Sequence, residues 1–158
     1  MIEERIKSYF NQNGWNFNEE KNEDGETEIF ISFVEDQKTL LFKIRIISPD
    51  RYEIIGKSNI KISPEKMDAA LRAVNDLNGR SNTVCAYLTD DGSIIFWIGR
   101  IAEGGAFSEE SFAREFDIVY RAADIYTDKI FTKVFTQESM NSAEKRNGFL
   151  SFFSRNKD

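Results

Sequence analysis

The stretch Thr39-Leu40-Leu41-Phe42-Lys43-Ile44-Arg45-Ile46-Ile47 decides the fold. Leu40, Phe42, Ile44 and Ile46 hold every second position, and Lys43 and Arg45 fall between them. Side chains alternate across a strand, so this run is a strand whose sheet has one more deeply buried face. Upstream, Glu28 to Val34 reads as a strand, joined to it through the turn Glu35-Asp36-Gln37-Lys38. Downstream, Ser48-Pro49-Asp50 ends the run, and Tyr52 to Ile62 is a third strand, weakened by Gly56.

Helices flank this meander. Ile2, Ile6 and Phe10 recur at helical spacing, and Asn13-Gly14 stops the first helix. Trp15-Asn16-Phe17 reads as extended, and Glu19 to Glu26 as a polar acidic segment with the turn Asp24-Gly25. Ser63-Pro64-Glu65 has the chemistry of a helix start, with Ser63 as the cap. The stripe Met67, Leu71, Val74, Leu77 follows, and Asn78-Gly79 ends that helix. Thr83 to Leu88 and Ser93 to Ile101 flank Thr89-Asp90-Asp91-Gly92, a strong hairpin signal. Ser108-Glu109-Glu110 opens the longest helix, with the stripe Phe112, Phe116, Val119, Ala123, Tyr126, Ile130 and Val134. The predicted class is α+β, in the order α-β-β-β-α-β-β-α, with a mostly antiparallel sheet packed by helices and a C-terminal tail. Residues 1–135 form the domain, and 136–158 a polar linker and an aromatic tail.

Composition removes much chemistry. The 158 residues include no histidine and one cysteine, Cys85. That excludes a histidine general base, a Ser-His-Asp or Cys-His pair and a Cys/His zinc cluster. One thiol forms no internal disulfide, which suits a reducing cytoplasm, and no signal peptide or membrane span is read. The net charge of −6 argues against nucleic acid as a partner and favours basic ones. From Ser139 onward Lys145, Arg146, Arg155 and Lys157 outweigh Glu144 and Asp158 by two, leaving −8 on the rest.

The remaining motifs carry bland readings. The acids Glu19, Glu20, Glu23, Asp24, Glu26 and Glu28 lack calcium-loop spacing and read as a solvated turn. Asp90-Asp91 belongs to its hairpin. Gly104-Gly105 is neither a phosphate loop nor a dinucleotide fingerprint and reads as a flexible entry to a helix. Cys85, between Val84 and Ala86, reads as a structural thiol, buried or half-buried. No catalytic, metal or cofactor residue is assigned, and none of these groups is expected.

Two features point to an interaction surface. If Leu40, Phe42, Ile44 and Ile46 face the helices, the other side of the sheet carries Leu41, Lys43, Arg45, Phe30, Ile95 and Trp97. A fully solvated face rarely holds Ile95 and Trp97 together. Each buried large side chain contributes about 1.5–3 kcal/mol, so either a partner covers that side or the chain's own elements do. The tail supplies Phe149, Leu150, Phe152 and Phe153, four large apolar residues in five. They dock on another protein or pack on the domain. One short segment of this kind makes no stable membrane anchor.

The order of elements resembles the YbjN-like family, whose fold is similar to the type III secretion chaperones. The resemblance covers roughly residues 1–135. It rests on the first helix ending Asn13-Gly14-Trp15, the strands through Phe33 and Phe42, the helix ending Leu71-Arg72-Ala73-Val74-Asn75-Asp76-Leu77-Asn78, the hairpin Tyr87-Leu88-Thr89-Asp90-Asp91-Gly92, and the long helix with Phe112 and Phe116. It implies an interaction module and not an enzyme, in a family described as sensory transduction regulators. The chaperone relatives are small, acidic and commonly dimeric, and bind extended client segments. By that analogy Met67, Leu71 and Val74 help pair subunits into a homodimer, and the Trp97 face receives a client. The expectation is a cytoplasmic chaperone-like or adaptor protein that binds protein segments through hydrophobic patches. The alternatives are an immunity-type or regulatory inhibitor of a basic toxin or enzyme and, third, an enzyme using carboxylates only.

Overall fold

The computed structural model describes residues 1–102 and 107–135. The elements run α1 (Ile2–Gln12), β1 (Asn18–Lys21), β2 (Thr27–Glu35), β3 (Lys38–Ser48), β4 (Arg51–Ser58), a 3-10 turn (Pro64–Lys66), α2 (Met67–Arg80), β5 (Cys85–Leu88), β6 (Ile94–Ile101) and α3 (Glu109–Arg121). Six strands form one sheet in the order β1-β2-β3-β4-β6-β5, and every pairing is antiparallel. The α+β class holds, with one strand more than the sequence reading gives.

That extra strand is β1. Asn18 to Lys21 is exposed throughout and pairs with Thr27 to Phe30. Period-two burial, the signal that reveals the other strands, is absent from it. The Glu19–Glu26 stretch is therefore an edge strand and its turn rather than a solvated turn alone. Lys7 fastens it to α1 by ion pairs to Glu19 at 2.6 Å and Glu3 at 2.7 Å. Burial disfavours the Lys7 charge, yet its bonds to Glu19 and Glu3 outweigh this and raise its pKa.

The core lies between one sheet face and the helices. Ile29 and Ile31 of β2, the four alternating residues of β3, Ile54 of β4, and Ile94, Phe96 and Ile98 of β6 line it. Against them pack Ile2, Ile6 and Phe10 of α1, Ala70, Ala73 and Val74 of α2, and Phe112, Phe116 and Val119 of α3. Aromatic rings dominate one end: Phe42 and Phe116 lie 5.1 Å apart, and Trp15 and Phe33 also 5.1 Å. Gly56 admits this packing. A Cβ there would stand 2.7 Å from both Phe42 Cε1 and Val119 Cγ1. Beside this cluster the buried Glu115 accepts from Tyr52 Oη and Arg100 Nε, both at 2.6 Å. Burial, with the Glu115 carboxylate beside it, pushes the Tyr52 phenol up.

Helix ends depart from the sequence reading in detail. Ser63 makes no side-chain cap, and the 3-10 turn precedes α2. Asn78-Gly79 does not stop α2, which runs to Arg80. Ser108 does cap α3, accepting from the Ser111 amide at 3.2 Å. The long helix is interrupted by a π-helical turn, Ala122–Tyr126, and continues over 127–135. The wider turn inserts a residue, so Thr127 is buried while Tyr126 is half-buried.

We expect Gly56→Ala to destabilise the domain by about 1–3 kcal/mol, the usual range for overpacking. Urea unfolding, with an unchanged slope, is the measurement.

Candidate functional site

The face turned away from the helices carries a second apolar surface. Reading across the strands, Phe30, Lys43, Ile55, Trp97 and Cys85 form one row. Ser32, Leu41 and Lys57 form the next, with Ile95 opposite Tyr87. Glu28, Arg45, Glu53 and Gly99 form a third. Phe30, Leu41, Ile55, Ile95 and Trp97 all stand outside the core cluster and the side chains packed on it. Among the described residues no helix covers this face.

The rows differ in character. The third is an ionic ladder. Lys43 pairs with Glu28 at 3.0 Å, and Arg45 Nε donates to Glu53 at 3.0 Å. Glu53 is 4% exposed, and its bond holds the Arg45 guanidinium above its ordinary pKa. The first two rows mix apolar side chains with Lys43, Ser32 and Lys57 and are partly open: Leu41 is 39% exposed and Tyr87 49%, and Ile95 is buried between strands. The Trp97 indole lies back over Gly99, where a Cβ would meet its ring at 2.7 Å. A depression of about 940 Å³ opens here, lined by Phe30, Leu41, Ile55, Ile95, Lys43 and Lys57 together with Tyr87 and the Gly14–Asn18 segment.

The two sheet edges are unlike. At β5 the Asn78 side chain of α2 takes both backbone groups of Ala86. Its Nδ2 donates to the Ala86 carbonyl at 2.7 Å, and its Oδ1 accepts from the Ala86 N–H at 2.8 Å. That edge is closed to another strand. At the opposite side β1 covers β2 only from Thr27 to Phe30. Ile31 to Glu35 has no neighbouring strand on that side, and Ile31, Ser32 and Phe33 border the depression.

The structure therefore brings Phe30, Leu41, Ile95 and Trp97 onto one face, with Arg45 in the adjoining ladder. It separates the α2 residues: Val74 is 1% exposed in its own core, Met67 is half-buried, and Leu71 is 48% exposed, so they form no single open stripe. The Val74 side chain, expected at a dimer contact, is instead spent on the packing of its own chain. Cys85 is exposed on the outer face, contrary to the buried or half-buried reading, because strand parity and the edge position turn it outward. Phe149, Leu150, Phe152, Phe153 and Gly104-Gly105 lie outside the described residues. Sequence reasoning missed Asn78, Tyr87, Lys57 and the uncovered part of β2. At the hairpin turn, Lys61 and Thr89 hold the Asp91 carboxyl well below the usual range. Among the described residues no group of acids or cysteine could hold a metal ion, and no helix is long and apolar enough to cross a membrane.

A family model described as "Putative bacterial sensory transduction regulator" matches residues 3–132. The chain belongs to the YbjN family. The match runs from α1 through the helix that follows the π turn, so it takes in the whole described sheet. Comparison with curated proteins returns no match. Among solved structures, an uncharacterized protein from Methanothermobacter thermautotrophicus is similar in fold, with a TM-score of 0.60 and 14% identity. The alignment covers 87% of this chain and 99% of that one. The YbjN description supports a regulatory or adaptor role in general terms.

Asn78→Ala should cost about 1–2 kcal/mol for two lost hydrogen bonds. It should also expose the β5 edge, so light scattering at rising concentration should show self-association absent from the parent chain.

Proposed function

We propose that this protein is a non-enzymatic adaptor that recognises an extended segment of another protein on its outer sheet face. The observation that carries this reading is the coincidence of an uncovered stretch of β2, Ile31 to Glu35, with an apolar depression beside it. A strand added at such an edge gains main-chain hydrogen bonds, and its alternate side chains enter the adjoining pockets. Phe30, Leu41, Ile55 and Ile95 offer apolar contacts, and Trp97 with Tyr87 supplies the aromatic anchors common at interfaces. Val34, 78% exposed beside them, extends the same surface.

The partner's chemistry follows from charge. The protein carries 27 acidic against 21 basic residues, while the charged side chains lining the depression are Lys43 and Lys57. A segment with apolar residues at alternate positions fits the depression, and Lys or Arg flanking it, clear of Lys43 and Lys57, fits the acidic balance of the chain. The acidic balance of the whole chain also fits a basic toxin or enzyme as the target, the inhibitor form of the same recognition. Both forms are cytoplasmic in this reading.

A peptide-display selection against the purified protein tests it. The expected enrichment is alternating apolar residues with basic neighbours. Leu41→Glu and Trp97→Ala should each weaken the selected peptides at least tenfold. Because Leu41 is partly exposed, Leu41→Glu should shift stability by no more than about 0.5 kcal/mol. Peptides whose affinity ignores both substitutions would remove the outer face from consideration.

A further inference from the structure

We infer that the segment Phe149-Leu150-Ser151-Phe152-Phe153 of this same chain is a ligand for the outer face and competes there with the external partner. The inference rests on the proposed function and adds its regulation: the site carries its own tethered competitor.

Phe135 lies against Lys66, whose Nζ is 3.3 Å from the ring centroid. Lys66 follows closely on Lys61, which bridges Ser93, and the Ile62 amide donates to the Gly92 carbonyl at 2.8 Å. Ser93 stands two residues before Ile95. The helix end is thus linked, through Lys66 and Lys61, to the sheet end that carries Ile95, Tyr87, Lys57 and Leu41. At 3.6 Å per residue, the steps from Lys66 to Lys61 and from Ser93 to Ile95 span at most about 25 Å. One cross-strand step adds about 5 Å and the Phe135–Lys66 contact, backbone to backbone, about 15 Å, so the whole path is at most about 45 Å. Residues 136–148 are thirteen in number and reach about 43–47 Å when extended. The tether is long enough to turn the sheet end and lay 149–153 in the depression.

Chemistry then matches the segment to the surface. It has the two properties derived above for an external partner. Extended, it places Phe149 and Phe153 on one side and Leu150 and Phe152 on the other, so either side presented to the sheet is apolar. It is also flanked by basic residues, Lys145 and Arg146 before it and Arg155 and Lys157 after it. These excess positive charges stand against −8 on the rest of the chain. Tethering raises the effective concentration into the millimolar range, so even a weak segment would occupy the face without a partner.

Cys85 makes the test direct, since it is the sole cysteine and is exposed in the Trp97 row. A nitroxide attached to Cys85 of the full chain should broaden the amide signals of Phe149 to Phe153. In a mixture of isotope-labelled chains without nitroxide and unlabelled chains with it, that broadening should disappear. Separately, in the unmodified full chain, Phe152→Ser should shift the Trp97 indole signal and the Ile95 and Tyr87 amides beside it, while the amide of the core residue Val74 stays in place. Broadening that persists in the mixture assigns the segment to a second copy and overturns the proposal. An indole signal indifferent to Phe149→Ser and Phe152→Ser also overturns it. These readouts use no external peptide, so they fail or succeed independently of the display selection. If both hold, Phe152→Ser should tighten a selected peptide about tenfold.

Discussion

Everything else in this molecule depends on the closure of α3 over β3 and β4 at Gly56. Phe42 and Val119 meet there at a distance that leaves no space for a Cβ. That contact fixes how closely the helix layer approaches the sheet. It allows Phe112 and Phe116 to share one aromatic cluster with Phe10, Trp15 and Phe33. With all the described helices on one side, the other face of the sheet is left to side chains alone. The asymmetry that gives the protein a surface to offer is thus set by the packing beneath it.

Sealing one face does not empty the other. Strand parity gives β6 an apolar residue on both sides at successive positions, Ile94 and Phe96 inward, Ile95 and Trp97 outward. The ionic ladder of Glu28, Arg45 and Glu53 limits how far that outer patch extends. The result is a bounded apolar area, open at one edge and fenced by charge along one side. Bounded patches of this sort mark recognition sites more often than accidents of composition.

Much of this is written locally in the chain. The β3 alternation, the Asp91-Gly92 hairpin and the Phe112–Phe116–Val119 stripe each obey one rule of period or turn chemistry, and each forms where that rule places it. The outer patch was legible too, because Ile95 and Trp97 break the expected alternation. What escaped depends on tertiary neighbours. β1 has no buried residue to announce it, so neither its existence nor its shortness against β2 could be read. Asn78 reads as a helix stop by propensity, yet its amide is taken up by the backbone of β5. Val74 carries the same apolar signal whether it meets its own core or a second chain, and only the fold decides.

The π turn at Ala122–Tyr126 has an evolutionary corollary. A wide turn is a regular helix holding one surplus residue. Removing one position from 122–126 would let the helix wind normally while Ile130 and Val134 kept the same neighbours. Thr127, whose Oγ1 is buried with no hydrogen-bond partner, sits just beyond this loosened coil. A one-residue deletion would therefore be absorbed here inside a helix, a place where a single-residue gap would ordinarily rotate everything downstream by about 100°.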